Sequence, residues 1–223
     1  AAECFGLKNT GAVAPGYKAD LLVLDNLDKV IVRDVYKNGE KVVSDGKTLC
    51  FDMPKINDAL EKKVRSSFNL PMLSSSDFAY DYNGKRKCHV ISLVDGQLLT
   101  DDLVSDIDFD CNNGIDIEHD ILKIAVIERH HNTGHIGNAF IKGIGLKEGA
   151  IASSVAHDSH NLIVIGTNTD DMAFAANRIR ELGGGIVSVK NGKVVAEMPL
   201  PIGGLMSCET AERAAEENEK VRE

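Results

Sequence analysis

The residues best suited to chemistry in this sequence are its histidines. Five of the seven lie between His130 and His160. Imidazole titrates near neutral pH and is the commonest metal-ligating side chain. We therefore expect a functional site in this stretch.

His157 and His160 flank Asp158 and Ser159, and strand-like sequences lie on either side. If a tight turn here closes a hairpin, the two imidazoles face each other with Cβ atoms roughly 5 Å apart. That separation suits shared binding of one metal ion or one polar substrate, and Asp158 could be a further ligand or could orient an imidazole. The alternative is that these are ordinary turn residues, chosen for backbone hydrogen bonding.

Glu128, Arg129 and His130 end a second strand-like stretch and can supply further groups. Arg129 can pair with a carboxylate or stack on a flat ring, which would suit a purine-sized ligand. Its alternative role is an ion pair with Asp158 that locks two loops together. The resulting candidates for a substrate or auxiliary site are Glu128, Arg129, His130, Asp158, Ser159 and Asn161, with His157 and His160 as metal ligands.

Two other kinds of site are disfavoured by their sequence context. Ser159 lacks the GxSxG pattern of a nucleophile elbow, so a hydrolytic triad is not expected. The glycines at 183–185 follow a predicted helix and precede a strand, which is the reverse of a phosphate-binding loop.

The elements that must position these residues form two groups. Strand-like stretches at 19–25 and 30–36, with Asn38 and Gly39 as a hairpin turn, predict a small β unit. A short helix is predicted at 57–64. Further strands are predicted at 88–94, 121–127, 136–141, 150–156, 162–165, 186–189 and 194–196.

Helical spacing of apolar residues predicts a helix over 170–182, capped by Thr169 or Asp170 and ended by the glycines at 183–185. A weakly anchored helix is expected over 209–223. The predicted fold class is α+β: a small β-sandwich-like segment and then an antiparallel-rich α+β domain. The predicted boundaries are 1–50 for the β segment, 51–76 for a linker with a short helix, and 77–223 for the second domain.

Composition restricts the partners. A net charge of −9 without a long basic block argues against nucleic acid, and the apolar runs are too short to cross a membrane. Small molecules or proteins are the expected partners.

Five scattered cysteines without a CxxC pair indicate reduced thiols and a cytoplasmic location. The helix-like start without an initiator Met predicts a piece of a longer protein.

Several stretches resemble a known family. Residues 11–25 (GAVAPGYKADLLVLD) resemble the segment after the metal-binding barrel of amidohydrolase-superfamily enzymes. Residues 128–130 (ERH), 149–161 (GAIASSVAHDSHN) and 199–206 (PLPIGGLM) resemble the C-terminal domain of adenine deaminases. The resemblance identifies 1–50 as a post-barrel β segment and 77–223 as the adenine deaminase C-terminal domain.

The resemblance implies hydrolysis of adenine to hypoxanthine and ammonia in purine salvage, by a hydroxide made at a divalent metal centre of manganese or iron. The superfamily's HxH metal motif is absent from this sequence, and a barrel would not fit in it. We therefore expect a C-terminal fragment, inactive alone, with no catalytic residues of its own and with the missing barrel as partner. Two alternatives are an auxiliary metal- or ligand-binding module at His157 and His160, and a structural domain for homo-oligomer assembly.

Overall fold

The computed structural model describes residues 1–49, 56–65 and 67–222. The chain divides into two compact units, Ala1–Ile56 and Asn57–Glu223. The first contains the strands β1 (Leu21–Asn26), β2 (Ile31–Lys37), β3 (Glu40–Ser44) and β4 (Lys47–Thr48), which form one antiparallel sheet in chain order. The Asn38–Gly39 hairpin is confirmed, because both residues have the positive φ that such a turn requires and Lys37 pairs with Glu40.

The second unit contains three helices and eight strands among its described residues. They are α1 (Asp58–Arg65), β5 (Lys85–Leu93), β6 (Thr100–Asp108), β7 (Ile121–Ile127), β8 (Ile136–Lys142), β9 (Ala150–Ser153), β10 (Leu162–Gly166), α2 (Thr169–Leu182), β11 (Gly185–Lys190), β12 (Lys193–Pro199) and α3 (Ala211–Arg222). The strands form one sheet in the order β12-β11-β9-β10-β7-β8-β5-β6.

Antiparallel pairing dominates this sheet, and only β5 and β8 run parallel among the described strands. The predicted α+β class is therefore confirmed. Strand β6 was not predicted, because its sequence TDDLVSDID is acidic. Only the alternation of inward Leu103 and Ile107 with polar residues marks it as a strand.

Helix α2 confirms the prediction over 170–182, with a correction at its start. Asn168 is the N-cap, since its side-chain oxygen accepts a hydrogen bond from the Asp171 amide (2.7 Å), whereas Thr169 or Asp170 had been expected. Gly183 ends the helix in the left-handed conformation. The buried face of the helix, including Met172 and Ile179, packs on one side of the sheet.

The remaining helices lie close to their predicted positions. Helix α1 begins one residue later than expected, because Asn57 caps it through the amides of Ala59 and Leu60. Helix α3 packs against β12 and has no fully buried residue. No helix in the described part of the chain is long and apolar enough to span a membrane.

Sheet pairing also places the histidine-rich loops. Strand β10 is antiparallel to both β7 and β9, with Leu162 opposite Ile127 and Ile163 opposite Ser153. The end of β7, the end of β9 and the start of β10 therefore share one end of the sheet. The residues that follow β7 and those that join β9 to β10 are neighbours for this reason.

Candidate functional site

The segment from His157 to His160 forms the predicted turn between two antiparallel strands. The amide of His160 donates to the carbonyl of Ala156 (2.5 Å), which closes the turn. The imidazole rings of His157 and His160 lie 5.7 Å apart between centroids, at 74° to one another. His157 and Asp158 pair through Nδ1 and a carboxylate oxygen, and their side chains are 86% and 92% exposed. The turn therefore presents His157 and Asp158 to solvent, whereas His160 is half-buried.

Arg129 lies under that turn and is almost completely buried, with 2% of its surface exposed. Its Nε donates to the carbonyl of His160 (2.6 Å), and its Nη1 donates to the carbonyl of Gly203 (3.0 Å). The guanidinium also stacks on Phe68, 5.0 Å from the ring centroid. Burial lowers the pKa of Arg129, and the negative charge of Glu128 partly opposes the shift.

The predicted alternative of an Arg129–Asp158 ion pair is wrong. Arg129 uses backbone carbonyls, while Asp158 pairs with His157 in solvent. Arg129 does lock loops together, as that alternative supposed, but it joins the turn of His160 to the loop of Gly203.

Two glycines allow the loop of Gly203 to approach Arg129 closely. A Cβ on Gly204 would lie 2.8 Å from Nη1 of Arg129, and one on Gly184 would lie 2.3 Å from the Cα of Gly204. Buried Ser154 adds a hydrogen bond to the Gly204 carbonyl (2.6 Å). Larger residues at either glycine would push this loop away from the guanidinium.

Glu128 stabilises its own loop. Its carboxylate accepts hydrogen bonds from the amides of His130, His131 and Thr133 and from the Thr133 hydroxyl. Desolvation would raise the pKa of this carboxyl, but the hydrogen bonds outweigh it and lower the pKa to about 2. Glu128 is therefore a carboxylate at neutral pH whose oxygens are occupied by backbone groups.

His130, Ser159 and Asn161 complete the contact between the two loops. The Nε2 of His130 donates to the carbonyl of Ser159 (2.9 Å), and the Ser159 hydroxyl accepts from the Asn161 amide (3.3 Å). Asn69 holds His130 from the other side through the His130 carbonyl (2.9 Å). The Ser159 hydroxyl therefore stabilises the turn by accepting this hydrogen bond.

These residues do not form a binuclear metal centre. Across residues 1–49, 56–65 and 67–222, no three His, Cys, Asp or Glu side chains come close enough together to hold a metal ion. Glu128 is occupied by its loop, and His130 is directed to Ser159. His157 and His160 remain adjacent as a pair, and Nδ1 of His160 is buried without a hydrogen-bond partner.

Sequence reasoning missed the partners of Arg129. Phe68 lies in the predicted linker, and Gly203 belongs to the family-like stretch 199–206. No local pattern links residues 68, 129 and 203, which approach one another only through the sheet. One signal in the sequence could have linked these residues. The stretches 128–130, 149–161 and 199–206 all resemble the same domain.

Fold and site together define an α+β domain in which three separated loops meet around a buried arginine, beside an exposed His157 and a half-buried His160. Residues 97–223 match the model of the adenine deaminase C-terminal domain. The chain belongs to this family.

The chain is also similar to curated proteins named adenine deaminase. It is 41% identical to the protein of Lysinibacillus sphaericus over 97% of this chain, and 42% identical to those of Petrotoga mobilis and Brucella anthropi over its whole length. It spans only 37–38% of the length of these relatives.

Proposed function

We propose that this chain is the C-terminal part of a metal-dependent adenine deaminase, which hydrolyses adenine to hypoxanthine and ammonia in purine salvage. The supporting observation is that the three family-like stretches meet at Arg129, inside the region that matches the family model. Burial of a cation carries a desolvation cost of several kcal/mol, so a buried arginine bound to two loops supports a role in which the position of those loops matters.

In this proposal the catalytic metal is held outside this chain. The residues described here do not supply the donors for a binuclear centre, so no metal-dependent step is assigned to them. Manganese or iron, bound by a barrel that this chain does not contain, would supply the hydroxide. The chain's contribution is to hold His157, Asp158 and His160 on a turn that Arg129 fixes through the His160 carbonyl, where they serve the substrate site as auxiliary groups.

The first test is adenine hydrolysis by the purified chain, measured as ammonia release with and without added manganese. We expect no turnover from the chain alone and turnover from the complete protein that a chelator abolishes. Rapid hydrolysis by the chain alone would contradict the proposal.

The second test concerns the histidines in the complete protein. Replacing His157 and His160 by Ala should lower kcat/KM by about tenfold to a hundredfold, the size expected for the loss of groups that orient a reacting centre from outside. His89→Ala is the matched control, since His89 is also exposed and paired with a carboxylate, that of Asp102. Equal activity of both variants would remove the auxiliary role.

A second candidate function is an auxiliary metal site at the histidine pair. It is favoured by the 5.7 Å ring separation and by the unpartnered Nδ1 of His160. Elemental analysis of the purified chain, with His157→Ala and His160→Ala for comparison, tests it. Metal content that does not change in the variants rejects this candidate.

A cytoplasmic location is proposed with either function, and the described cysteines are free thiols.

A further inference from the structure

A cavity of about 390 Å³ lies where the segment that follows α1 passes between the end of α2 and the loop after β7. It is lined by Phe68, Asn69, Leu70, Asn132 and Arg180. Its volume is within the range that is typical of sites for small molecules. We call it the Arg180 cavity.

Arg180, in the last turn of α2, is the charged group of this cavity. Its Nε donates to the carbonyl of buried Leu70 (2.8 Å), which fixes the guanidinium at the cavity wall. Within the described part of the chain, its Nη1 and Nη2 have no hydrogen-bond partner. Arg178 lies two residues earlier on the same helix and is instead paired with Glu181 and Glu197. The outer edge of the Arg180 guanidinium therefore lacks a carboxylate, although the chain as a whole is acidic.

Two carboxamides add neutral donors to the same cavity. Asn69 donates its backbone amide to the Arg129 carbonyl (2.8 Å) and one side-chain N–H to the His130 carbonyl (2.9 Å). Its second side-chain N–H is free to bind a ligand. Asn132 is exposed, and its side chain has no hydrogen-bond partner among the described residues. No Asp or Glu of the described chain lines the cavity.

This set of donors matches a phosphate group better than a carboxylate. The edge of a guanidinium binds two oxygen atoms at once, through two parallel hydrogen bonds. A carboxylate has only these two oxygens, whereas a phosphate has a third that can accept from the carboxamide of Asn69 or Asn132. Phe68 and Leu70 form the apolar part of the wall, which suits the organic part of a phosphate monoester.

We propose that the Arg180 cavity binds inorganic phosphate or a small phosphate monoester, with Arg180 on two oxygens and Asn132 on a third. A phosphate held there connects the end of α2 to the loop after β7, in which Glu128 binds the amides of His130 and His131. Phosphate binding should therefore stiffen the loop that carries His130. This inference is independent of adenine hydrolysis, because binding is measured on the chain alone.

The test is an NMR titration of the isotope-labelled chain with inorganic phosphate, ribose 5-phosphate and acetate at constant ionic strength. With either phosphate compound, the side-chain amide signals of Asn69 and Asn132 should shift until they saturate. Arg180→Gln should raise the dissociation constant by roughly tenfold to a hundredfold, since it removes charge-assisted hydrogen bonds. The matched control is Arg178→Gln, which makes the same change of side chain and net charge on the same helix but outside the cavity lining.

Circular dichroism establishes that the variants are folded. Should Arg180→Gln fail to fold, Asn132→Asp provides a second test, because Asp also adopts the left-handed backbone of this exposed residue. Its carboxylate should weaken phosphate binding, while the net charge changes by the same amount as in Arg178→Gln.

The two phosphate compounds distinguish the source of the ligand. Tighter binding of ribose 5-phosphate identifies the ester as the ligand, and equal or weaker binding identifies free phosphate. The proposal is overturned if neither phosphate compound gives saturable shifts, or if acetate binds as tightly as phosphate. It is also overturned by a folded Arg180→Gln or Asn132→Asp chain that binds phosphate as tightly as Arg178→Gln.

Discussion

At the scale of single residues, Arg129 determines the arrangement of the site. Its positive charge is buried against two carbonyl oxygens and an aromatic ring, without a carboxylate among its described partners. The planar guanidinium can donate in two directions while stacking on Phe68. A lysine ammonium is a point charge and cannot reproduce that geometry.

We therefore expect Arg129→Lys to destabilise the chain by about 2 kcal/mol, the loss of one charge-assisted hydrogen bond. Urea unfolding followed by circular dichroism measures this change. Arg86→Lys is the control, because Arg86 also lies over an aromatic ring, that of Tyr82, but is exposed. If the two variants lose similar amounts of unfolding free energy, the buried carbonyl contacts of Arg129 do not add stability beyond that of ring stacking.

At the scale of elements, Lys123 connects β7 to the segments that cover it. It is fully buried, and its Nζ donates to the carbonyl of Phe78 (2.8 Å) and to the side chain of Asn113. The rings of Tyr80 and Phe140 lie beside it. Burial lowers the pKa of Lys123 to about 8, from an ordinary value of 10.5.

This shift predicts a pH dependence of stability. Between pH 8 and 10.5 the unfolded chain holds a proton that folded Lys123 has released, so the free energy of unfolding rises with pH in this window. The difference between the two pKa values limits this rise to at most on the order of 3 kcal/mol. The hydrogen bonds and the neighbouring rings favour the charged form of Lys123 and therefore reduce it. Lys123→Met should abolish this rise in urea melts between pH 7 and 11.

Lys87→Met is the control for that experiment, since Lys87 is exposed on β5 and its removal should leave the slope intact. A Lys123→Met chain with the wild-type pH dependence would mean that another group causes it.

At the scale of the whole molecule, the two units differ in how much core they contain. The clusters of buried apolar residues lie in the second unit, whereas in the described part of the first unit only Asp34 is buried. A four-stranded sheet without a buried apolar core is only marginally stable by itself.

We expect residues 57–223 to fold cooperatively without the first unit, because the three clusters of buried apolar residues lie within them. Chemical denaturation of the truncated chain tests this, and residues 1–56 expressed alone are the comparison. A truncated chain that fails to fold cooperatively, or an isolated first unit that does, would contradict it.

The sequence by itself was sufficient for features set by local spacing. The periodicity of Met172, Ala175 and Ile179 predicts α2, the Asn38–Gly39 pair predicts its hairpin, and the polar residues at 157–160 predict the turn. The N-cap at Asn168 was missed by one residue because neighbouring Thr169 and Asp170 are also good caps.

Tertiary structure alone decided the partners of Arg129 and the use of Glu128 within its own loop. Each depends on residues that are far apart in the chain and brought together by strand order, which no local pattern encodes. The histidine turn could be predicted because its hydrogen bonds are local. Its attachment could not, because Arg129 binds the backbone carbonyls of His160 and Gly203, and a carbonyl carries no signature of residue type.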